Sequence, residues 1–221
     1  VIPLGSGNDW ARTFGISKNI KSALRLLKDG RVARQDMVKV SLLNASGAEV
    51  RSRYMVNIAG IGLDARVCEI VNHKKKQGYR GKKLYVSALF YCIKHRVPVA
   101  AKVMCDGQTI FDGKYLSMAL GTGKYSGGGM RQTPLAVPDD GLIDVTIIPD
   151  IPMSVIARKV ITLFTGTFHT VKQLTLARGS EVVVLPSGQA AKEPLEVDGE
   201  VVGRVPAKFK VLEDQLNVMV L

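Results

Sequence analysis

The chain has 221 residues, 46% of them hydrophobic, and carries 31 Lys and Arg against 19 Asp and Glu, a formal charge of +12. That length and apolar content can bury a sizeable core and exclude a disordered tail, while the positive balance points to an anionic partner such as a nucleotide, a nucleic acid or acidic lipid headgroups. Cys68, Cys92 and Cys105 are widely spaced with no Cys-x-x-Cys pair, which argues against a zinc ribbon or disulfide scaffold and for small core residues in a reducing compartment.

The chain opens on Val1-Ile2-Pro3, runs into Gly5-Ser6-Gly7 and meets Asn8-Asp9. A glycine turn between a strand and a helix lets backbone N–H groups approach phosphate oxygens, and Ser6 adds a hydroxyl donor. The same residue types also serve as ordinary helix caps. Helices are predicted over "NDWARTFGI" and "SKNIKSALRLLKDG", where Ile20, Ala23, Leu24 and Leu27 recur at helical spacing and Gly30 closes the pattern. Trp10 and Phe14 on the first helix read as packing residues.

From Met37 the texture changes to short runs divided by Asn, Asp, Gly and Pro: "DMVKVSLLN", "RYMVNIAGI", "AAKVMCDGQTIF", "YLSMALGTG", "LIDVTIIPD", "EVVVLPSG", "LEVDGEVVGRVP" and "KFKVLEDQLNVMVL". Runs of this kind predict the strands of a β-sandwich, with a boundary near residue 36 between it and the βα-type material before it. Two helical stretches interrupt the strands. One, over 65–96, contains an apolar segment from Leu84 to Ile93 that reads as a buried helix; the other covers 151–168. The basic run "HKKKQGYRGKK" (73–83) reads either as a solvated face or as an attachment to an anionic leaflet. His73, His95 and His169 are scattered without metal spacing. No apolar run approaches the roughly 18 residues a membrane span needs, and no charged start leads into an apolar stretch, so a cytoplasmic location is expected.

Two later segments hold candidate chemistry. In "GTGKYSGGGMRQTPLAVPDDGLIDV" (121–145) three consecutive glycines precede Asp139-Asp140. That pair with nearby carbonyls suits a hard cation such as Mg²⁺, and Asp-Gly equally suits a plain turn. In "LEVDGEVVG" (195–203) Asp198 and Glu200 are two apart. On an extended chain they share a face, close enough for one carboxylate to serve as general base; as a hairpin, Asp198-Gly199 is a turn and Glu200 an exposed strand residue.

The order and spacing of these segments resemble the diacylglycerol kinase catalytic family, specifically bacterial soluble lipid kinases that are also similar to sphingosine kinases. "PLGSGNDWAR" looks like that family's P-L-G-T-G-N-D-F-A-R, "NIAGIGLDA" (57–65) like N-x-x-G-I-G-F-D-A, "YSGGGMRQTPLAVPDDGLIDV" like G-G-G-x-x-x-x-P-x-A-x-x-D-G-x-L-D, and "VDGE" (197–200) like D-G-E. The resemblance implies an α+β, mainly β architecture: a C-terminal antiparallel β-sandwich domain with a few helices (37–221), preceded by a remnant (1–36) of a Rossmann-like α/β nucleotide-binding lobe. The family's Gly-Gly-Asp-Gly-Thr phosphate loop is absent from the chain, so the expectation is a C-terminal part that phosphorylates nothing alone.

Carried over residue by residue, the resemblance implies that Ser6, where the family usually has Thr, contacts the nucleotide on a turn with Gly5, Gly7 and Asn8. Glu200 is then the base that activates a lipid hydroxyl, and Asp198 sets the geometry around it. Asp140 with the carbonyls of Val137 and Leu142 forms the metal site. The implied activity is transfer of the ATP γ-phosphate to a lipid such as diacylglycerol, with ATP and Mg²⁺ as cofactors and an anionic membrane surface as partner, the protein being peripheral at the inner face. A homodimer is open. The alternatives are a kinase of a soluble substrate, since NAD kinases resemble the fold, and a basic nucleic-acid-binding module. The latter is disfavoured because only Tyr79 and Tyr85 accompany the basic run.

Overall fold

Period-two alternation of β-branched and polar residues dominates the chain after residue 30, and it folds accordingly. The structure is a computed structural model describing residues 1–5, 7–79, 82–159, 161–187 and 193–220. Two helices, α1 (Asp9–Thr13) and α2 (Ile20–Asp29), precede β1 (Arg31–Leu43), β2 (Glu49–Met55) and β3 (Ile58–Gly62). A helical pair, α3 (Leu63–Lys76) and α4 (Lys82–Lys94), leads into β4 (Val99–Cys105), β5 (Gln108–Gly121) and β6 (Ile143–Pro149). Then come α5 (Met153–Lys159), α6 (Thr162–Thr165), β7 (Thr175–Gly179), β8 (Glu181–Ser187), β9 (Pro194–Val197), β10 (Glu200–Arg204) and β11 (Ala207–Val220).

Every strand pairing among the described residues is antiparallel, and the strand order is β10-β9-β3-β5-β4-β8-β11-β1-β2, with β6 on β5 and β7 on β6. The expected mainly antiparallel architecture with few helices is the one observed. Its principal core is enclosed by the sheet and includes the fully buried Met55, Ile61, Met118, Ile143, Leu195 and Phe209. A second, small core joins α1 and α2 to the outer ends of β1 and β11. There Trp10 and Phe14 pack with ring centroids 5.4 Å apart, and the Trp10 indole N–H donates to Gln35 Oε1 at 2.8 Å, the packing role expected of them. A third core lies between α3, α4 and the sheet.

The boundary expected near residue 36 falls inside β1. There the register against β11 shifts between Gln35 and Met37. Asp36 is 1% exposed; its carboxylate accepts the N–H groups of Asp214 at 2.8 Å and Gly141 at 2.7 Å, and its own N–H donates to Pro138 O at 2.8 Å. The irregularity thereby holds the 138–141 loop against the sheet.

Four sequence expectations change. "RYMVNIAGI" is two strands, because a bend at Val56-Asn57 interrupts it. "AAKVMCDGQTIF" is a hairpin: Asp106 and Gly107 have φ of 46° and 79°, the left-handed pair that a two-residue turn requires. The 151–168 stretch holds two short helices, and "TLARG" forms an additional strand, β7. The segment Leu84 to Ile93 is helical but only half buried: Ala88 and Cys92 face inward, while Phe90 is 67% and Tyr91 57% exposed.

Candidate functional site

The "VDGE" motif is a hairpin turn. Val197 pairs with Glu200, and Asp198 and Gly199 lie between them with φ of 50° and 89°. This corrects the extended-chain reading, in which Asp198 and Glu200 share one strand face. The left-handed turn swings the Asp198 side chain onto the β2–β3 bend, where it accepts the N–H groups of Val56 at 2.9 Å, Asn57 at 3.0 Å and Ile58 at 3.1 Å. Burial pushes its pKa up and those three donors pull it back. Asp198 is thus an anchor that fixes the hairpin. Glu200 is the first residue of β10, is exposed, and among the described residues joins no ion pair.

The turn also docks on α3. Gly199 O accepts from Asn72 Nδ2 and from the Cys68 thiol, both at 3.0 Å. Burial, reinforced by Glu196, Glu200 and Asp64, pushes the Cys68 pKa up to about 12, so this thiol is a neutral donor and not a nucleophile.

Beside the turn sit two acids whose importance the sequence reading missed. Glu196 on β9 is 8% exposed and its Oε2 accepts Gly199 N–H at 2.9 Å. Burial, together with the neighbouring Asp64, Asp198 and Glu200, pushes its pKa up to about 8. Asp64, at the start of α3, accepts from Ser117 Oγ at 2.9 Å and Gln132 Nε2 at 3.0 Å; burial raises its pKa and those bonds oppose the rise. Gly60 lets both approach, since a Cβ there would stand 2.8 Å from Asp64 Cβ and 2.8 Å from Glu196 Oε1. Asp64 lies inside the quoted "NIAGIGLDA", so position in a motif was the available signal. Glu196 reads only as one residue of an alternating strand.

Asp64, Ser117 and Gln132 are polar residues lining a partly open cavity of about 80 Å³ between α3, α4, β5, β6 and residues that include Ile151, Ile156, Leu163, Phe168 and Leu174, with Thr146 and Lys159 also on its wall. Its remaining wall is almost wholly apolar, including Leu89, Leu116, Ile148, Ile156, Leu163 and Phe168.

Of the opening turn, Ser6 lies outside the described residues. Asn8 has φ of 56° and closes the turn on itself: Oδ1 accepts Gly5 N–H at 3.0 Å and Nδ2 donates to Gly5 O at 2.6 Å. Gly5 is exposed and Gly7 half-buried. The triple-glycine loop packs against α1, where Gly128 N–H donates to Asp9 Oδ2 at 2.7 Å. The guanidinium groups of Arg12 and Arg131 lie 5.6 and 5.3 Å from the Tyr125 ring centroid, so two cations flank the residue that leads into the triple-glycine loop. Asn57 joins both clusters, its N–H going to Asp198 and its side-chain amide to Tyr125 O at 3.0 Å. Three of the four motifs therefore meet around one residue.

Asp140 is held differently. Its Oδ1 accepts Leu142 N–H at 3.2 Å and its Oδ2 pairs with Arg178 of β7, whose Nε also reaches Asp144 at 3.1 Å. Both carboxylate oxygens are engaged, a guanidinium already supplies the positive charge, and among the described residues no cluster of three or more His, Cys, Asp or Glu could hold a metal. Asp140, Val137 and Leu142 as arranged do not fit Mg²⁺.

Residues 57–220 match the family described as the YegS C-terminal NAD kinase beta sandwich-like domain, and residues 1–40 match the diacylglycerol kinase catalytic domain. The chain belongs to the family of the YegS C-terminal NAD kinase beta sandwich-like domain. A Stenotrophomonas maltophilia relative, named as a probable YegS-like lipid kinase, is 29% identical over 204 residues, covering 90% of this chain and 62% of its own length. A Mycobacterium tuberculosis diacylglycerol kinase is 25% identical over 220 residues, 99% of this chain and 68% of the relative. The chain thus spans about two thirds of the length of these relatives. A Bacillus anthracis diacylglycerol kinase structure superposes over the whole chain with a TM-score of 0.66 at 16% identity, covering 65% of that protein, which supports the fold. No helix among the described residues is long and apolar enough to cross a membrane.

Proposed function

We propose that the chain is the lipid-binding part of a kinase that transfers the γ-phosphate of ATP to a lipid hydroxyl, diacylglycerol or a related lipid. The largely apolar cavity with Asp64, Ser117 and Gln132 on its wall carries this reading. A soluble, polar substrate of the NAD kinase kind has no use for a wall of Leu, Ile and Phe, whereas an acyl chain gains about 0.8 kcal/mol per buried CH₂. In this reading the first few methylenes of the acyl chain lie in the cavity and the three polar side chains hold the glycerol end.

Glu200 then takes the proton as the lipid oxygen forms its bond to the γ-phosphorus and the bond to the departing ADP breaks. Asp198 positions Glu200 by pinning the hairpin, and Glu196, carrying a proton at neutral pH, adds no like charge beside it. Gly5, Gly7 and Asn8 of the opening turn then meet the nucleotide, and Arg12 of the adjoining α1 adds a cation beside it. Positioning of the two substrates contributes most of the rate.

The test is binding of a fluorescent diacylglycerol to the chain and to Leu89→Trp and Ile148→Trp, which fill the cavity. Loss of binding by both variants, with melting unchanged, supports the proposal; wild-type-like binding by both overturns it.

A further inference from the structure

The chain's positive charge is not spread over it. Residues 70–105 and 151–180 contain 13 of the 31 Lys and Arg and none of the 19 Asp and Glu, so the remainder, with 18 cations against 19 acids, is neutral to within one charge. These two segments hold α4, α5 and α6, whose inner sides line the apolar cavity through Leu89, Ile93, Ile156 and Leu163.

The outer sides of α4 and α6 carry exposed apolar residues as well. On α4, Val86 and Phe90 are 48% and 67% exposed, one helical turn apart, with Tyr91 beside them at 57%. On and beside α6, Ile161 and Phe164 are 61% and 55% exposed. Exposed Lys83 and Lys94 stand at the two ends of the α4 stripe, and Lys74, Lys75 and Lys76 end α3 next to it. Among the described residues none of these five lysines has an acidic partner within ion-pair distance. Lys74 Nζ instead lies 5.2 Å from the ring centroid of Tyr79, itself 58% exposed.

We infer that this face is a docking surface for an anionic phospholipid bilayer, with Phe90, Tyr91, Ile161 and Phe164 entering the interface and the lysines meeting lipid phosphates. Aromatic and aliphatic side chains ringed by unpaired lysines are the composition that interfacial binding requires, since apolar burial and attraction to acidic headgroups add. A protein partner of ordinary composition would leave these lysines unmatched, whereas an anionic leaflet neutralises all of them at once. The link from this surface to the cavity rests on the lipid-kinase reading: a lipid leaving the leaflet here reaches Leu89 and Leu163 without crossing water. The surface itself rests on charge and exposure alone.

The experiment is co-sedimentation of the chain, without nucleotide, with phosphatidylcholine vesicles containing either no or about 30 mol% phosphatidylglycerol, at low and high salt. Binding to the anionic vesicles only is expected. Phe90→Ser/Phe164→Ser should weaken it at least about tenfold while keeping its salt dependence, and Lys74→Gln/Lys75→Gln/Lys76→Gln should weaken it similarly while flattening that dependence. Both variants alter exposed side chains, and an unchanged thermal melt confirms their folding. Equal binding to neutral vesicles, wild-type binding by either variant, or a dimer that Phe90→Ser/Phe164→Ser dissociates would overturn the proposal. Loss of vesicle binding with retained binding of a short-chain, water-dispersed fluorescent diacylglycerol would leave the lipid-binding reading standing; the opposite pair of results would remove that reading and keep the surface.

Discussion

At the scale of single residues, the buried Glu196 makes a pH signature. Its folded pKa of about 8 lies above the ordinary 4.5, so between those values the folded chain binds more protons than the unfolded one. Stability must therefore fall as pH rises from about 5 to about 8. Asp64, Asp144 and Asp198, also pushed up by burial, act in the same direction. Glu196→Gln keeps an oxygen for Gly199 N–H and removes the titration, so its thermal midpoint should fall less over that range; calorimetry at several pH values decides this, and parallel curves would assign the dependence elsewhere. Glu200 and Asp198 separate by readout. In the native protein Glu200→Gln should lower kcat by roughly 10²–10⁴ with an unchanged melt, as expected for loss of a general base from an exposed position. Asp198→Ala should lose about 1–3 kcal/mol of stability, because it leaves three backbone N–H groups without their acceptor. Chemical denaturation of both variants, beside the kinetic assay, tests the division of labour.

Among elements, the loop between the triple glycines and β6 is held from two directions: by Asp36 of β1 and by Arg178 of β7. Arg178→Ala should therefore cost about 1–3 kcal/mol, moderated by the partial exposure of the pair, and it frees Asp140 and Asp144 together. Differential scanning calorimetry should then show Mg²⁺ raising the melting temperature of that variant and leaving the wild type unmoved. This is also where sequence reading fell short. Asp140 was legible as an acid in a turn, but its partner Arg178 lies on β7, a five-residue strand whose Leu176 and Ala177 give too little alternation to announce it. Hairpins fared better where the turn chemistry is local: Asp198-Gly199 reads as a turn from two letters. Asp106-Gly107 carries the same signal, yet it was read through because the flanking strands run into each other. The split of 53–61 was not legible, since the bend at Val56-Asn57 is held by Asp198 from far along the chain. The half-exposure of α4 was hidden for a similar reason. An apolar helix looks buried until the surface it faces is known.

For the whole molecule, the class of fold and the "NIAGIG", triple-glycine and "VDGE" segments were readable because each is a contiguous motif, whereas their meeting at Asn57 was not. The cavity was not, being assembled from side chains between Leu63 and Leu174. The sheet encloses one principal core, so damage at its centre should act globally. Phe209→Ala, at a fully buried position on β11, should lower stability by about 3–5 kcal/mol in a single cooperative transition. Denaturant titration followed by both tryptophan fluorescence and circular dichroism checks it, and non-coincident transitions would show that the α1–α2 core around Trp10 melts separately.

The pairing of β1 with β11 sets a schedule as well as a shape. Arg31 lies opposite Val220 and Ala207 opposite Leu42, so the first strand of this chain is completed by its last. On the ribosome β1 and β2 can form their hairpin early, but Val38 and Val40 then present an uncovered apolar edge for almost the entire time that the rest of the chain is being made. Closure waits for the final fourteen-residue strand. A nascent chain halted before β11 is accordingly a sticky, open-edged species, and its exposure to misassembly lasts until that strand is made.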